Sequence, residues 1–174
     1  MTSITFQGQI EQLDLPDSWK ERELAQNELK TFELREFSPS GEEEVKLCFY
    51  YRGRQVSEGS GLAFLEILKR PPHLLMKQEI ESIVEILEEI AFPESFAPLG
   101  IKTEKLNQKM VLIVDGRWRA QSWDTHALYI PADKHARVVQ QVYLLSPPSR
   151  YPVFLSQFKA ALEAISWRAD SILA

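Results

Sequence analysis

The last third of the chain, Lys109 to Trp167, sets the tightest limit on what it can fold into. It runs KMVLIVDGRW, SWDTHALYI and ARVVQQVYLL, and then SRYPVFLSQFKAALEAISW. The first three segments read as strands and the fourth as an amphipathic helix. In the first strand Met110 and Leu112 oppose Val111 and Ile113. In the third, Val138, Val142 and Leu144 oppose Val139, Tyr143 and Leu145. Neighbouring side chains on a strand point to opposite faces, so a strand apolar on both sides must be covered on both sides. The helix offers one cover, a stripe of Phe154, Leu155, Phe158, Leu162 and Ile165.

Other elements supply more strands and a second cover. Ile4 to Ile10 alternates as a half-buried strand, with Gly8 at a bulge or a close approach. Leu29 to Phe37 and Val45 to Gly53 read as two further strands. SEGSGLAFLEILKRPP predicts a short helix stopped by Pro71 and Pro72. LMKQEIESIVEILEEI predicts the longest helix, with Ile80, Ile83, Val84, Leu87 and Ile90 as its stripe and Glu79, Glu81, Glu85, Glu88 and Glu89 on a solvated face. Asn107-Gln108 makes a tight turn between IKTEKL and KMVLIV. The expectation is one α+β domain over residues 1–174: an antiparallel sheet of about six or seven strands with helices on both faces, an α/β/α sandwich. The alternative is a two-layer sandwich with the middle helices packed at the end of the sheet.

Two terminal motifs suggest a family. Leu15-Pro16-Asp17-Ser18-Trp19 follows the first strand, and Pro148-Ser149-Arg150-Tyr151 leads into a helix ending in Ala164-Ile165-Ser166-Trp167. This order resembles the PsbP-like fold family, which includes extrinsic subunits of photosystem II and a regulator of the Ran GTPase. The resemblance implies an α/β/α sandwich and a non-enzymatic accessory or binding role. It covers the two ends of the chain and carries over no functional residue. The two-helix stretch from Ser57 to Ala91 departs from the family pattern.

Charge and composition exclude several classes. The 174 residues carry 20 basic and 25 acidic side chains, a net charge of −5, which disfavours nucleic acid and anionic membrane surfaces as partners. The single cysteine, Cys48, rules out an intrachain disulfide and a four-cysteine zinc site. MTSITFQGQIEQL lacks the basic region and apolar run of a signal peptide. No stretch approaches the ~18 apolar residues of a membrane helix. The expected setting is cytoplasmic.

Four constellations are candidate sites. Asp124 and His126 share a strand face, and Asp133 and His135 lie in the next turn; together they offer ligands for a divalent metal. The plainer reading is a polar hairpin tip, and no metal or other cofactor is expected. Cys48, beside Lys46 on its strand face, offers a thiol nucleophile or, more plainly, a small buried hydrophobe. Gly59-Ser60-Gly61 before a helix could present amides to an anion, or simply be a flexible helix entry. No Walker loop, dinucleotide fingerprint or nucleophile elbow is present.

The last constellation is GRWRAQSW, Gly116 to Trp123, which concentrates Arg117, Trp118, Arg119 and Trp123 around one hairpin. Such residues are enriched at binding hot spots. Alternation puts Trp118 inward and both arginines outward. The plain reading is that Trp118 and Trp123 are cross-strand core partners. The expected function is a non-catalytic binding or accessory protein that docks a protein partner. One alternative is a small-molecule, hydrolase-like enzyme with a polar cleft near Arg117, Asp124 and His126. The other is a lipid- or small-ligand-binding module.

Overall fold

The structure, a computed structural model, describes residues 1–6, 8–24 and 34–169. Strands β1 (Thr2–Thr5) and β2 (Ile10–Leu15) open a small antiparallel sheet. β3 (Trp19–Glu21), β4 (Leu34–Pro39), β5 (Lys46–Gln55), β6 (Phe96–Leu106), β7 (Lys109–Trp118), β8 (Trp123–Pro131) and β9 (Val138–Ser146) build a large one, in the spatial order β3-β4-β5-β9-β8-β7-β6. Every neighbouring pair in it is antiparallel. The last strand, β10 (Ser166–Trp167), returns to β2 and completes the small sheet. Four helices lie among the described residues: α1 (Glu58–Lys69), α2 (Lys77–Ser82), α3 (Val84–Leu87) and α4 (Tyr151–Glu163), with a 3₁₀ turn, Glu88–Ala91, after α3. The protein is therefore mixed α+β with a seven-stranded antiparallel sheet.

The doubly apolar strands split their side chains between two cores. Val111, Ile113, Leu128, Val142 and Leu144 join Phe154, Phe158 and Leu162 of α4 and Ile4, Ile10 and Leu13 of the small sheet. Their neighbours Leu112, Val114, Ala127, Tyr129 and Val139 join Phe64 and Ile67 of α1 with Ile83, Ile86, Leu87 and Ile90. The β6–β7 hairpin turns where expected. Asn107 (φ 43°) and Gln108 (φ 73°) both take the left-handed conformation that a two-residue turn of matching twist requires, without a glycine.

One strand expectation is corrected. The segment Ile4 to Ile10 is two strands, with the chain reversing around Gly8 (φ 79°). A side chain at Gly8 would overlap the amide of Gln140, whose oxygen accepts the Gln9 N–H at 3.0 Å. The reversal still buries both Ile4 and Ile10. Of the segment Leu29 to Phe37, only Leu34 onward lies within the described residues, where it forms β4.

The middle helix is also not continuous. It breaks at Ile83 (φ −121°, ψ 24°) and again at Glu88 (φ 52°). Two of its glutamates are tied to α1, Glu79 buried and Glu85 exposed. Buried Glu79 accepts from Arg70, at the end of α1, at 3.1 Å, and from the Met76 amide at 3.0 Å. Glu85 accepts from the Ser57 amide (2.9 Å) and from the Ser57 and Ser60 hydroxyls (2.6 and 2.7 Å) at the start of α1. Those hydroxyls hold its pKa down to about 2. On one straight helix residues 79 and 85 would point about 120° apart. Breaking the helix lets each reach its own end of α1. At the helix entry before Gly61 a carboxylate of the chain itself thus meets the Ser57 amide and the Ser57 and Ser60 hydroxyls.

Candidate binding groove

The large sheet carries a polar, aromatic patch where its helical cover stops. On the face shared by Leu112 and Val114, two adjacent rungs of β5, β9 and β8 meet α3 and the turn after it. One rung is Tyr50–Gln141–Tyr129 and the next is Cys48–Tyr143–Ala127. Aliphatic residues would be ill suited to such half-covered positions, whereas tyrosine offers an apolar body and a polar tip. β5 shifts register between Tyr50 and Arg54, which opens the floor at that end.

Two adjoining hollows lie above these rungs. One, of about 350 Å³, is lined among others by Tyr50, Tyr143, Thr125, Trp118, Glu88 and Glu89. The other, of about 320 Å³, is lined by Arg54, Gly53, Ile86 and Val139. Tyr50, Glu88, Tyr129 and Gln141 border both, so the two form one trough. Each is of the size of a small-ligand pocket.

The floor is held by its own hydrogen bonds. The Tyr50 and Tyr143 rings stack at 6.0 Å and 28°. The Tyr143 hydroxyl bonds both Tyr50 and Cys48. Gln141 Nε2 donates to the Tyr129 hydroxyl at 3.2 Å. Burial raises the pKa of all three tyrosines and pushes the Cys48 thiol up to about 12. Burial therefore favours the protonated thiol of Cys48 at neutral pH. The rim is charged. Arg54 reaches Glu88 Oε1 at 3.1 Å and donates to the carbonyls of Glu85 (2.6 Å) and Ile86 (2.9 Å) at the end of α3. Glu88 sits at φ 52°, ψ −126°, a conformation that favours glycine and costs a glutamate about 1–3 kcal/mol.

The residues singled out in the sequence divide between the two faces of the sheet. Trp118 is half-buried, packs edge-on against Phe96 at 5.0 Å and lines the larger hollow. Trp123 stands opposite it in register and is also half-buried. Arg117 lies on the other face, exposed, and grips Asp124 with two bonds of 2.7 and 3.2 Å. Arg119 is exposed and donates to the Pro93 carbonyl at 2.6 Å. Arg117 thus lies on the opposite face of the sheet from Trp118 and Trp123.

The polar residues of the enzyme alternative form closed pairs. Buried His126 bonds Asp115, as Arg117 bonds Asp124. His126 borders a depression of about 130 Å³ beside α4. Asp133 accepts the amides of His135, Arg137 and Val138, at the opposite end of β8 from Asp124. Among the described residues no three His, Cys, Asp or Glu side chains gather as a ligand set, and no helix is long and apolar enough to cross a membrane.

Tyr50, Gln141, Tyr143 and Glu88 belong to no motif in the sequence that marks a site. A signal existed: on the second face of VKLCFYYRG and RVVQQVYLL, tyrosine and glutamine replace aliphatic residues, which marks a half-open patch. No protein-family model matches the chain, and no curated protein matches it in sequence.

Proposed function

We propose that this protein is a non-catalytic binding module that docks a segment of a protein partner in the tyrosine-lined trough. One observation carries the reading. The trough is open, is floored by hydroxyl-bearing aromatics and ends at Trp118. Such a surface combines the large contact area of aromatic side chains with hydrogen-bonding tips, the composition that dominates protein recognition. The docked segment runs from Arg54 at one end to Trp118 at the other.

The remaining expectations belong to the same proposal. A sheet covered on both faces is supported by the two buried clusters, one holding α4 and the other α1 to α3. The PsbP-like resemblance draws support from the small sheet, in which β10 of the Ala164-to-Trp167 ending pairs with β2, the strand that runs into Leu15-Pro16. A cytoplasmic setting and a partner other than nucleic acid follow from the lone buried cysteine and the acidic balance.

The test is selection of displayed random linear peptides on the folded protein. Selected peptides should lose affinity for Trp118→Leu and Tyr50→Ala and keep it for Arg117→Ala. Failure to enrich any peptide, or enrichment blind to both trough variants, contradicts the reading.

A further inference from the structure

The charges around the trough are uneven. The larger hollow is bordered by two carboxylates, Glu88 and Glu89, and by no basic side chain. Of its aromatic lining, Tyr50, Tyr143 and Trp118 are half-buried and Tyr129 is buried. Glu88 bears on the floor itself: its charge acts on the hydroxyls of both Tyr50 and Tyr129. Arg54, in the smaller hollow, holds Glu88 Oε1. Among the described residues no hydrogen bond is made to Glu88 Oε2, and the exposed Glu89 has no ion pair. Stacked rings with carboxylates at their edge attract an organic cation twice, through the ring quadrupole and through charge.

We propose that the larger hollow takes the ammonium or guanidinium of a lysine or arginine side chain presented by a partner protein. The alkyl stem lies along the Tyr50–Tyr143 stack, and the cation meets Trp118 and the Glu88 and Glu89 carboxylates. The net charge of −5 favours encounter with a basic segment. The occupant is thus opposite in sign to the acidic partner that Arg117 and Arg119 would suggest. This assignment rests on the binding reading above.

Two display libraries separate the claims, one of random peptides without Lys and Arg, the other without Asp and Glu. The second should yield trough binders and the first should not. A selected peptide should lose affinity by about fivefold to thirtyfold when its central Lys or Arg becomes norleucine. Glu88→Gln with Glu89→Gln should produce a loss of the same order, and Glu163→Gln, on α4, should not. Glu89→Gln alone and Trp118→Leu serve if the strained position 88 does not tolerate change. Raising salt from about 50 to 500 mM should weaken binding. Trough binders of equal affinity from the Lys- and Arg-free library overturn this inference and leave the binding reading standing. Cationic peptides that bind equally to the trough variants overturn it too, since they are attracted only to net charge. Binding of spermidine without binding of any basic peptide also overturns it. Absence of any trough binder from either library overturns both.

Discussion

Lys109 shows how one side chain can record the folding of the whole chain. It opens β7, with its ammonium 5.0 Å from the Trp167 ring centroid and bonded to Gln9 Oε1. Gln9 and Trp167 come from opposite ends of the sequence. No carboxylate pairs with the ammonium among the described residues, and burial lowers its pKa to about 8. An unfolded lysine titrates near 10.4. Between those values the unfolded chain holds a proton that the folded chain lacks, so this group's contribution to stability rises with pH from about 8 to about 10.4. At pH 7 the buried charge is a burden. Cys48, Tyr129 and Tyr143 act in the opposite sense. Their folded pKa values are raised, so their contribution falls as pH climbs past the ordinary thiol and phenol values. Lys109→Met should therefore be more stable than the parent at pH 7, and the gap should narrow by pH 10. Urea melts of both proteins at each pH measure it, and a gap constant with pH contradicts the account.

Cys48 provides a second test at the same scale. Its buried thiol should react with a thiol reagent only as fast as the protein opens, and at once in denaturant. Rapid labelling of the native protein would show the thiol to be accessible. The burial was legible from the residue type, since cysteine is among the most buried side chains, although alternation sets Cys48 on the face of Lys46 and Tyr50. The depressed pKa of Lys109 was not legible, because its cause is burial among segments distant in the chain, Gln9 and Trp167 included.

At the scale of elements, two glycines in α1 separate helix propensity from packing. Gly59 has open space around it, so Gly59→Ala should stabilise by up to about 1 kcal/mol. Gly61 lies against the loop before β9. A Cβ there would come within 2.7 Å of the His135 and Ala136 carbonyl oxygens. Gly61→Ala should destabilise despite its better propensity. Thermal melts of the two variants should move in opposite directions, and a shift of the same sign would mean α1 does not press on that loop. Local pattern located α1, α4, the β6–β7 hairpin and the three late strands, because each has a clear period and clear stop signals. Pattern could not break the middle helix, since its stripe is regular and the break is imposed by Glu79 and Glu85 reaching opposite ends of α1.

Across the whole molecule, the doubly apolar strands are what hold the two cores to one sheet. Ile113 is buried in the core beneath α4. Ile113→Asp places an unpaired carboxylate there, at a cost of several kcal/mol, comparable with the stability of a domain of this size. The variant should be insoluble or should fail to melt cooperatively, as judged by circular dichroism. A cooperative, soluble variant would refute the strand assignment. The large sheet could be anticipated because burial on two faces is written into each strand's alternation. The trough could not. It exists only because β5 and β9 are neighbours and α3 ends at Glu88, and both facts are tertiary.

Methyl and indole NMR of the protein titrated with a trough-selected peptide tests the central claim most directly, because the two faces of the sheet carry separate probes. The account predicts shifts at Leu87, Thr125, Ala127 and Leu145 and at the Trp118 indole, with Val111, Leu128 and Val142 unmoved. Shifts confined to Val111, Leu128 and Val142 would place the ligand on the other face and contradict it.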